Sequence, residues 1–79
     1  MPRPSAIDPA LARALRDLRA KKRLTQEDLA HRAGLTVAAL ARIERGQSNP
    51  TWASVRAIAS GLEVGLAELA RAVQRMENQ

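Results

Sequence analysis

The chain has 79 residues, no cysteine, one histidine and a formal net charge of +5. A chain of this length supports one compact core that buries only about 60% of the unfolded surface, with no room for a second domain. Without cysteine there is no disulfide framework and no thiolate metal site, and His31 alone cannot assemble a histidine ligand set, so no metal or cofactor is expected.

Apolar residues make up 46% of the chain and aromatic ones 1%, a single Trp. This balance favours a helical bundle over a sheet, which would draw on aromatic and β-branched residues. The fold class expected is all-α, a compact bundle of five helices with no β-structure. No apolar run is long enough for a membrane span or a secretory signal, so a cytoplasmic location without membrane contact is expected. The charge is uneven: residues 1–45 hold ten Lys/Arg against five Asp/Glu, and residues 46–79 hold three against three. A one-sided positive field points to a polyanion partner, although a surface that only aids solubility gives a similar count.

In chain order, residues 1–7 (MPRPSAI) contain two prolines and read as a flexible arm ahead of a single domain over 8–79. Asp8 followed by Pro9 is an N-cap with proline at the first helical position. Leu11, Leu15 and Leu18 then repeat at the spacing of a buried stripe, so helix 1 should reach about Lys22. Thr25 and Asp28 form a capping-box variant, Leu29, Ala30 and Ala33 supply an apolar side, and Gly34 closes helix 2 in a left-handed conformation. Thr36 caps helix 3, which stops at Gly46. After the QSNP loop, Thr51 caps helix 4, whose apolar face is Trp52, Val55, Ile58, Ala59 and Leu62. Gly65, with Glu68 three residues on, opens helix 5, where Leu66, Leu69, Ala70, Val73 and Met76 recur at helical spacing.

Two short helices hinged at Gly34 form a helix-turn-helix pattern, whose second helix fits a major groove about 12 Å wide. The segment LTQEDLAHRAGLTVAALARIERGQSNPTWASVRAIASGLEV resembles the Xre/Cro family of phage-repressor-like DNA-binding domains. The similarity spans roughly residues 11–72 and carries the Thr-Gln-x-x-Leu-Ala, Ala-Gly-Leu, Ile-Glu-Arg-Gly and Asn-Pro landmarks in order. Two positions depart from the pattern. Glu63 stands where the turn between helices 4 and 5 often has Gly or Asn, and Gly65 replaces a commoner Ser or Pro.

The resemblance implies a lambda-repressor-like bundle with its recognition helix over 36–45. It also implies a transcriptional regulator of double-stranded DNA that acts as a homodimer on an inverted repeat. It assigns Gln26 a phosphate contact at the start of helix 2, which suits the unpaired amides and partial positive charge of a helix N-terminus; Thr36 offers a second such place. With Leu40 and Ile43 inward, about 100° per residue turns Ala38, Ala41, Arg42 and Arg45 outward, with Val37 at the edge. This face lacks Asn and Gln, but small side chains let the backbone approach, and the methyls of Val37 and Ala38 can pack on the thymine C5-methyl. Arg42 is placed for a bidentate guanine contact, with phosphate binding as its alternative, and Arg45 for a phosphate. The loop residues Gln47 and Asn49 complete the candidate DNA-binding set.

Arg19 continues the helix 1 stripe and points partly into the core, where an unpaired guanidinium is costly, so it needs a carboxylate. Glu44, beside the buried face of helix 3, is the expected partner, and the family pairs an arginine with a glutamate at these two positions. His31 falls on the polar side of helix 2 with no nucleophile or carboxylate constellation, and the chain has no phosphate loop, so no enzyme is expected. The run Lys21, Lys22, Arg23 either solvates a helix end or adds to phosphate attraction. Trp52 is expected to pack in the core or along helix 4 rather than to stack on bases. The stripe Leu66, Leu69, Val73 and Met76 is the expected dimer surface, with closure of the monomer core as its alternative. Two further functions stay open: an antitoxin that binds DNA and a toxin, and a protein-interaction module that never touches DNA. A toxin or co-regulator is thus a second kind of partner that these residues allow.

Overall fold

A computed structural model describes residues 8–79. The arm expected over 1–7 lies outside the described residues. The helices are α1 (Pro9–Lys21), α2 (Gln26–Ala33), α3 (Val37–Glu44), α4 (Trp52–Leu62) and α5 (Leu66–Glu77), with no strand among the described residues. The expected all-α class and the five-helix order are both found.

Local chemistry accounts for the helix starts. The Asp8 carboxylate accepts the Leu11 N–H at 3.1 Å, and Pro9 needs no acceptor of its own. Thr25 and Asp28 cap each other reciprocally: the Asp28 N–H donates to Thr25 Oγ1 at 3.0 Å and the Thr25 N–H to Asp28 Oδ2 at 3.1 Å. Thr36 and Thr51 accept from Ala39 and Ser54 in the same way. Only α5, which begins after Gly65, lacks a side-chain cap.

The helix ends differ in their chemistry. Gly34 closes α2 at φ 71°, a conformation open to glycine at no steric cost, and this lets the Leu35 N–H reach the Ala30 carbonyl at 2.9 Å. The same left-handed turn is made after α1 by Arg23 (φ 58°) and after α4 by Glu63 (φ 60°). Both give the paired closing hydrogen bonds of that motif, Leu24 to Arg19 and Arg23 to Ala20, then Val64 to Ala59 and Glu63 to Ser60. The departure at Glu63 is therefore absorbed by a strained residue, not by a different turn. Helix 1 ends at Lys21 with Lys22 as its cap, in keeping with the expected end at about Lys22.

Leu15, Leu29, Leu40, Ile58 and Leu62 form the fully buried centre, one or two from each of the first four helices, and α5 adds Leu69 and Ala72. α1 lies chiefly against α5 and α2 against α4, while α3 rests on α1 and α2. The α2–α4 approach is close at Gly61: a Cβ there would stand 3.0 Å from Leu29 Cδ1 and 3.1 Å from Arg32 Cβ. The Arg32 guanidinium also donates to the Gly61 carbonyl at 3.2 Å. The start of α1 is tied to the loop before α4 by the Asp8 N–H, which donates to Asn49 Oδ1 at 2.8 Å.

The apolar stripes of α4 and α5 divide between core and surface. Trp52, the first residue of α4, lies on the side that carries Val55 and Leu62 and borders an apolar groove with Leu11 and Val55, yet is 64% exposed. It is not a core residue. Leu69, expected on a dimer surface with closure of the monomer core as the alternative, is 3% exposed and follows the alternative, whereas Leu66 one turn earlier is 40% exposed. Val73 and Met76 are half-buried against the core.

Candidate nucleic-acid interface

α3 is held by a buried carboxylate. Glu44 is the one charged residue among the buried ones, at 1% exposure, and its side chain accepts three hydrogen bonds. Arg19 grips it with two prongs, Nε to Oε2 at 2.8 Å and an Nη to Oε1 at 3.0 Å, and a third Arg19 donor reaches the Leu24 carbonyl at 2.9 Å. The expected pair is thus present in the bidentate form that makes arginine–carboxylate contacts specific in geometry. Removing one member would strand a buried charge, at a cost of about 3–5 kcal/mol. No buried side-chain nitrogen or oxygen among the described residues is left without a partner.

Helical periodicity does not single out Arg16, whose guanidinium donates to the Glu44 main-chain carbonyl. The last carbonyls of α3 are otherwise closed by the Arg45, Gly46 and Gln47 N–H groups, so Arg16 completes the cap. A cation also suits the negative end of the helix. α3 is therefore fixed at its C-terminal end by two arginines of α1, and at its start by Thr36.

From this frame α3 shows solvent a narrow face. Thr36, Val37, Ala38, Arg42 and Arg45 are exposed, Val37 at 42%. Ala41, expected on that face, is buried. The reason is angular: Glu44 is fully inside rather than beside the buried face, which shifts the centre of the buried arc toward Ala41. Thr36 binds the Ala39 N–H and leaves those of Val37 and Ala38 without an intrahelical partner, so two donors stand at the tip of the exposed face.

The remaining candidates divide by what they touch. Arg45 Nε donates to Gln47 Oε1 at 3.2 Å, which places the loop glutamine alongside the arginine at the end of α3. Asn49 is exposed, and its Oδ1 accepts the Asp8 N–H, which leaves its amide nitrogen without a partner among the described residues. Gln26 is half-buried and its Nε2 donates inward to Glu44 Oε1 at 2.9 Å, a contact that the resemblance did not imply. The ion pairs among the described residues are Arg19–Glu44 and Lys21–Asp17, so Arg42 and Arg45 carry charges uncompensated by a carboxylate there. Asp28, at the start of α2, is turned to its own helix. The Thr25 N–H, then the Thr25 hydroxyl and nearby Arg32, hold its carboxyl below the usual aspartate value. His31 is exposed, and no group of three metal-ligating side chains is found among the described residues.

A helix-turn-helix domain family matches residues 10–72. Among solved structures, the wild-type restriction-modification controller protein C.Esp1396I is 28% identical with a TM-score of 0.89, over 96% of this chain and 100% of that one. The same controller as a tetramer in complex with its natural 35 base-pair operator gives the same identity, TM-score and coverage. A single-substitution variant of it is 31% identical with a TM-score of 0.83, over 90% of this chain and 92% of that one. No curated protein matches the chain. The capped α2–Gly34–α3 unit, the buried Arg19–Glu44 pair and these matches agree: the chain belongs to the helix-turn-helix family, in keeping with its Xre/Cro-type landmarks.

Proposed function

We propose that residues 8–79 form one DNA-binding domain of a transcriptional regulator, not an enzyme, acting in the cytoplasm at the nucleoid. It works as a homodimer, each protomer placing α3 in the major groove of one half-site of an inverted-repeat operator. The observation that carries this reading is the exposed face of α3. Val37, Ala38, Arg42 and Arg45 project from a helix whose other side is locked by Glu44 to α1 and α2. Two small side chains followed by two guanidiniums without a carboxylate partner fit a groove floor flanked by phosphates. The similar controller protein crystallised on its operator supports the same conclusion.

In this reading Val37 and Ala38 pack on thymine methyls and Arg42 takes a guanine. Arg45, aligned by Gln47, holds a phosphate, and Gln26, Thr36 and Asn49 add backbone contacts. Ala41 is left out because it is buried. Dimerisation uses an apolar groove of roughly 420 Å³ between α1, α4 and α5, whose lining includes Leu11, Trp52, Val55, Leu66, Leu69 and Val73. Trp52 and Leu66 are two of the three large apolar residues exposed among the described residues, and the third, Val37, is on α3. The groove contains no residue of α2 or α3, so closing it leaves both recognition helices free. Met76 does not line it, so of the expected stripe Leu66, Leu69 and Val73 do, with the exposed Leu66 foremost.

Selection of binding sites from random duplexes tests the proposal. The expected product is a palindrome whose half-sites are centred about 10 bp, or a multiple of one turn, apart. Recovery of no common sequence would overturn it.

A further inference from the structure

We propose that Glu44 is a positioning residue for DNA binding: it holds the Gln26 amide so that one NH₂ group bridges the buried carboxylate and a DNA phosphate. The inference rests on the DNA-binding reading above and adds a function to a pair that would otherwise serve only stability. A carboxylate accepts and cannot donate, so the nitrogen of Gln26, not its oxygen, must face Glu44 Oε1, 2.9 Å away. That nitrogen carries two protons, and one contact engages only one of them. A neutral NH₂ can therefore donate to two anions at once, which neither a hydroxyl nor a carbonyl can do.

The surroundings favour this use. Oε1 already receives an Arg19 Nη at 3.0 Å, and Oε2 receives Arg19 Nε, so Glu44 cannot swing away to follow Gln26. Gln26 is half-buried at the first position of α2, next to the Thr25 cap, where the unpaired amides favour a phosphate; of the two carboxylates in this turn, Glu27 and Asp28, the latter is engaged by the Thr25 N–H. Ordering the amide before DNA arrives removes part of the entropy cost of immobilising a rotamer-rich side chain on binding. Gln47 and Gln79 are arranged in the opposite sense: each accepts through its oxygen, from Arg45 and Arg13, and both are exposed.

The test combines side-chain amide NMR with a binding cycle on the full chain. The Gln26 NH₂ signals are identified by their loss in Gln26→Ala. In the free protein one of the two protons should exchange slowly, and on adding duplex DNA the other should shift. Two protons that exchange as fast as those of Gln74 would overturn the inference while leaving the function untouched. In the cycle, Gln26→Ala should lower affinity for every duplex about tenfold with no change in salt slope, since a neutral amide releases no counterions. Glu44→Gln, measured where circular dichroism shows it folded, should lower affinity in the wild-type background and add nothing in Gln26→Ala. Losses that multiply would mean that Glu44 does not act through Gln26. If Glu44→Gln does not fold, the NMR result decides alone. Failure of the wild type to bind any duplex would overturn the function, and this inference with it.

Discussion

Arg42 and Arg45 are three residues apart, just under one helical turn, yet they occupy different surroundings. Arg45 is aligned by Gln47, and Arg42 has no side-chain partner among the described residues. A free guanidinium beside small residues suits a base edge, and a buttressed one at the helix end suits a phosphate. The methyl-bearing part of the face makes its own prediction. Replacing thymine by uracil at the bases opposite Val37 and Ala38 deletes a methyl and leaves every hydrogen-bonding edge intact, so affinity should fall by a small factor, about 0.8 kcal/mol per methyl. Equal affinity for uracil-substituted operators, measured by fluorescence anisotropy, would remove these two residues from base reading.

Some residues were legible in the sequence and others were not. The Arg19–Glu44 pair was, because a guanidinium on an apolar stripe demands a carboxylate wherever it is found. Ala41 was not: it sits at the border of the buried arc, and the depth of Glu44 moved that border. Gln26 shows a different limit, since an amide near two anions can face either, and only the fold brings Glu44 within reach.

Elements were read more securely than residues because capping is local. Each Thr or Asp that opens a helix does so within three residues of its partner, and the structure reproduces all four side-chain caps. The reciprocal cap of α2 carries a pH signature. The Asp28 carboxyl is held below its ordinary value of 3.8, so its contribution is present above that value and is lost as pH falls through the lower folded one. Thermal melts of wild type and Asp28→Ala should therefore differ at neutral pH and converge as the solution is acidified below about pH 4. A gap that stays constant would mean that the ionised carboxylate does not support the cap.

The turns were less legible, because a sequence without glycine at a left-handed position carries no sign that the turn persists. Glu63 adopts φ 60° with all the hydrogen bonds of a glycine-type helix end. Glu63→Gly should relieve this strain and raise stability by about 1 kcal/mol, offset in part by a freer unfolded chain. In a domain of this size that is a rise of roughly 4–8 °C in Tm, and a lower Tm would contradict it. The position is far from α3 in the chain, so DNA affinity should not change.

Along the chain, net charge is unevenly divided, and two of the three exposed large apolar residues fall in its neutral half. The excess cations belong to the first half of the sequence, and the second half, with three of each sign, carries Trp52 and Leu66. Helical period put Trp52 on the apolar face of α4, but period does not say how much of that face its neighbours cover, and here the ring borders an open groove. Leu69 takes the alternative of core closure: it follows the same stripe as Leu66 but one turn deeper. If the groove between α1, α4 and α5 closes a dimer, Leu66→Glu should give monomers in sedimentation with an unchanged helical spectrum, since the residue is exposed in the monomer. It should also weaken binding to a paired operator far more than to a single half-site. Dimers that survive both Leu66→Glu and Trp52→Ala would place the interface elsewhere.

Sequence reading by α3 is decided by the base-preference profile of Arg42→Ala beside that of wild type. Arg42→Ala should lose about 1–3 kcal/mol on the best operator, flatten the preference at one base pair in each half-site, and bind random DNA with little change. Arg45→Ala should instead weaken all sequences alike and lower the salt slope by about one unit for each phosphate that it no longer neutralises. A uniform loss in Arg42→Ala with the profile unchanged would contradict base reading and make α3 a positioning element only.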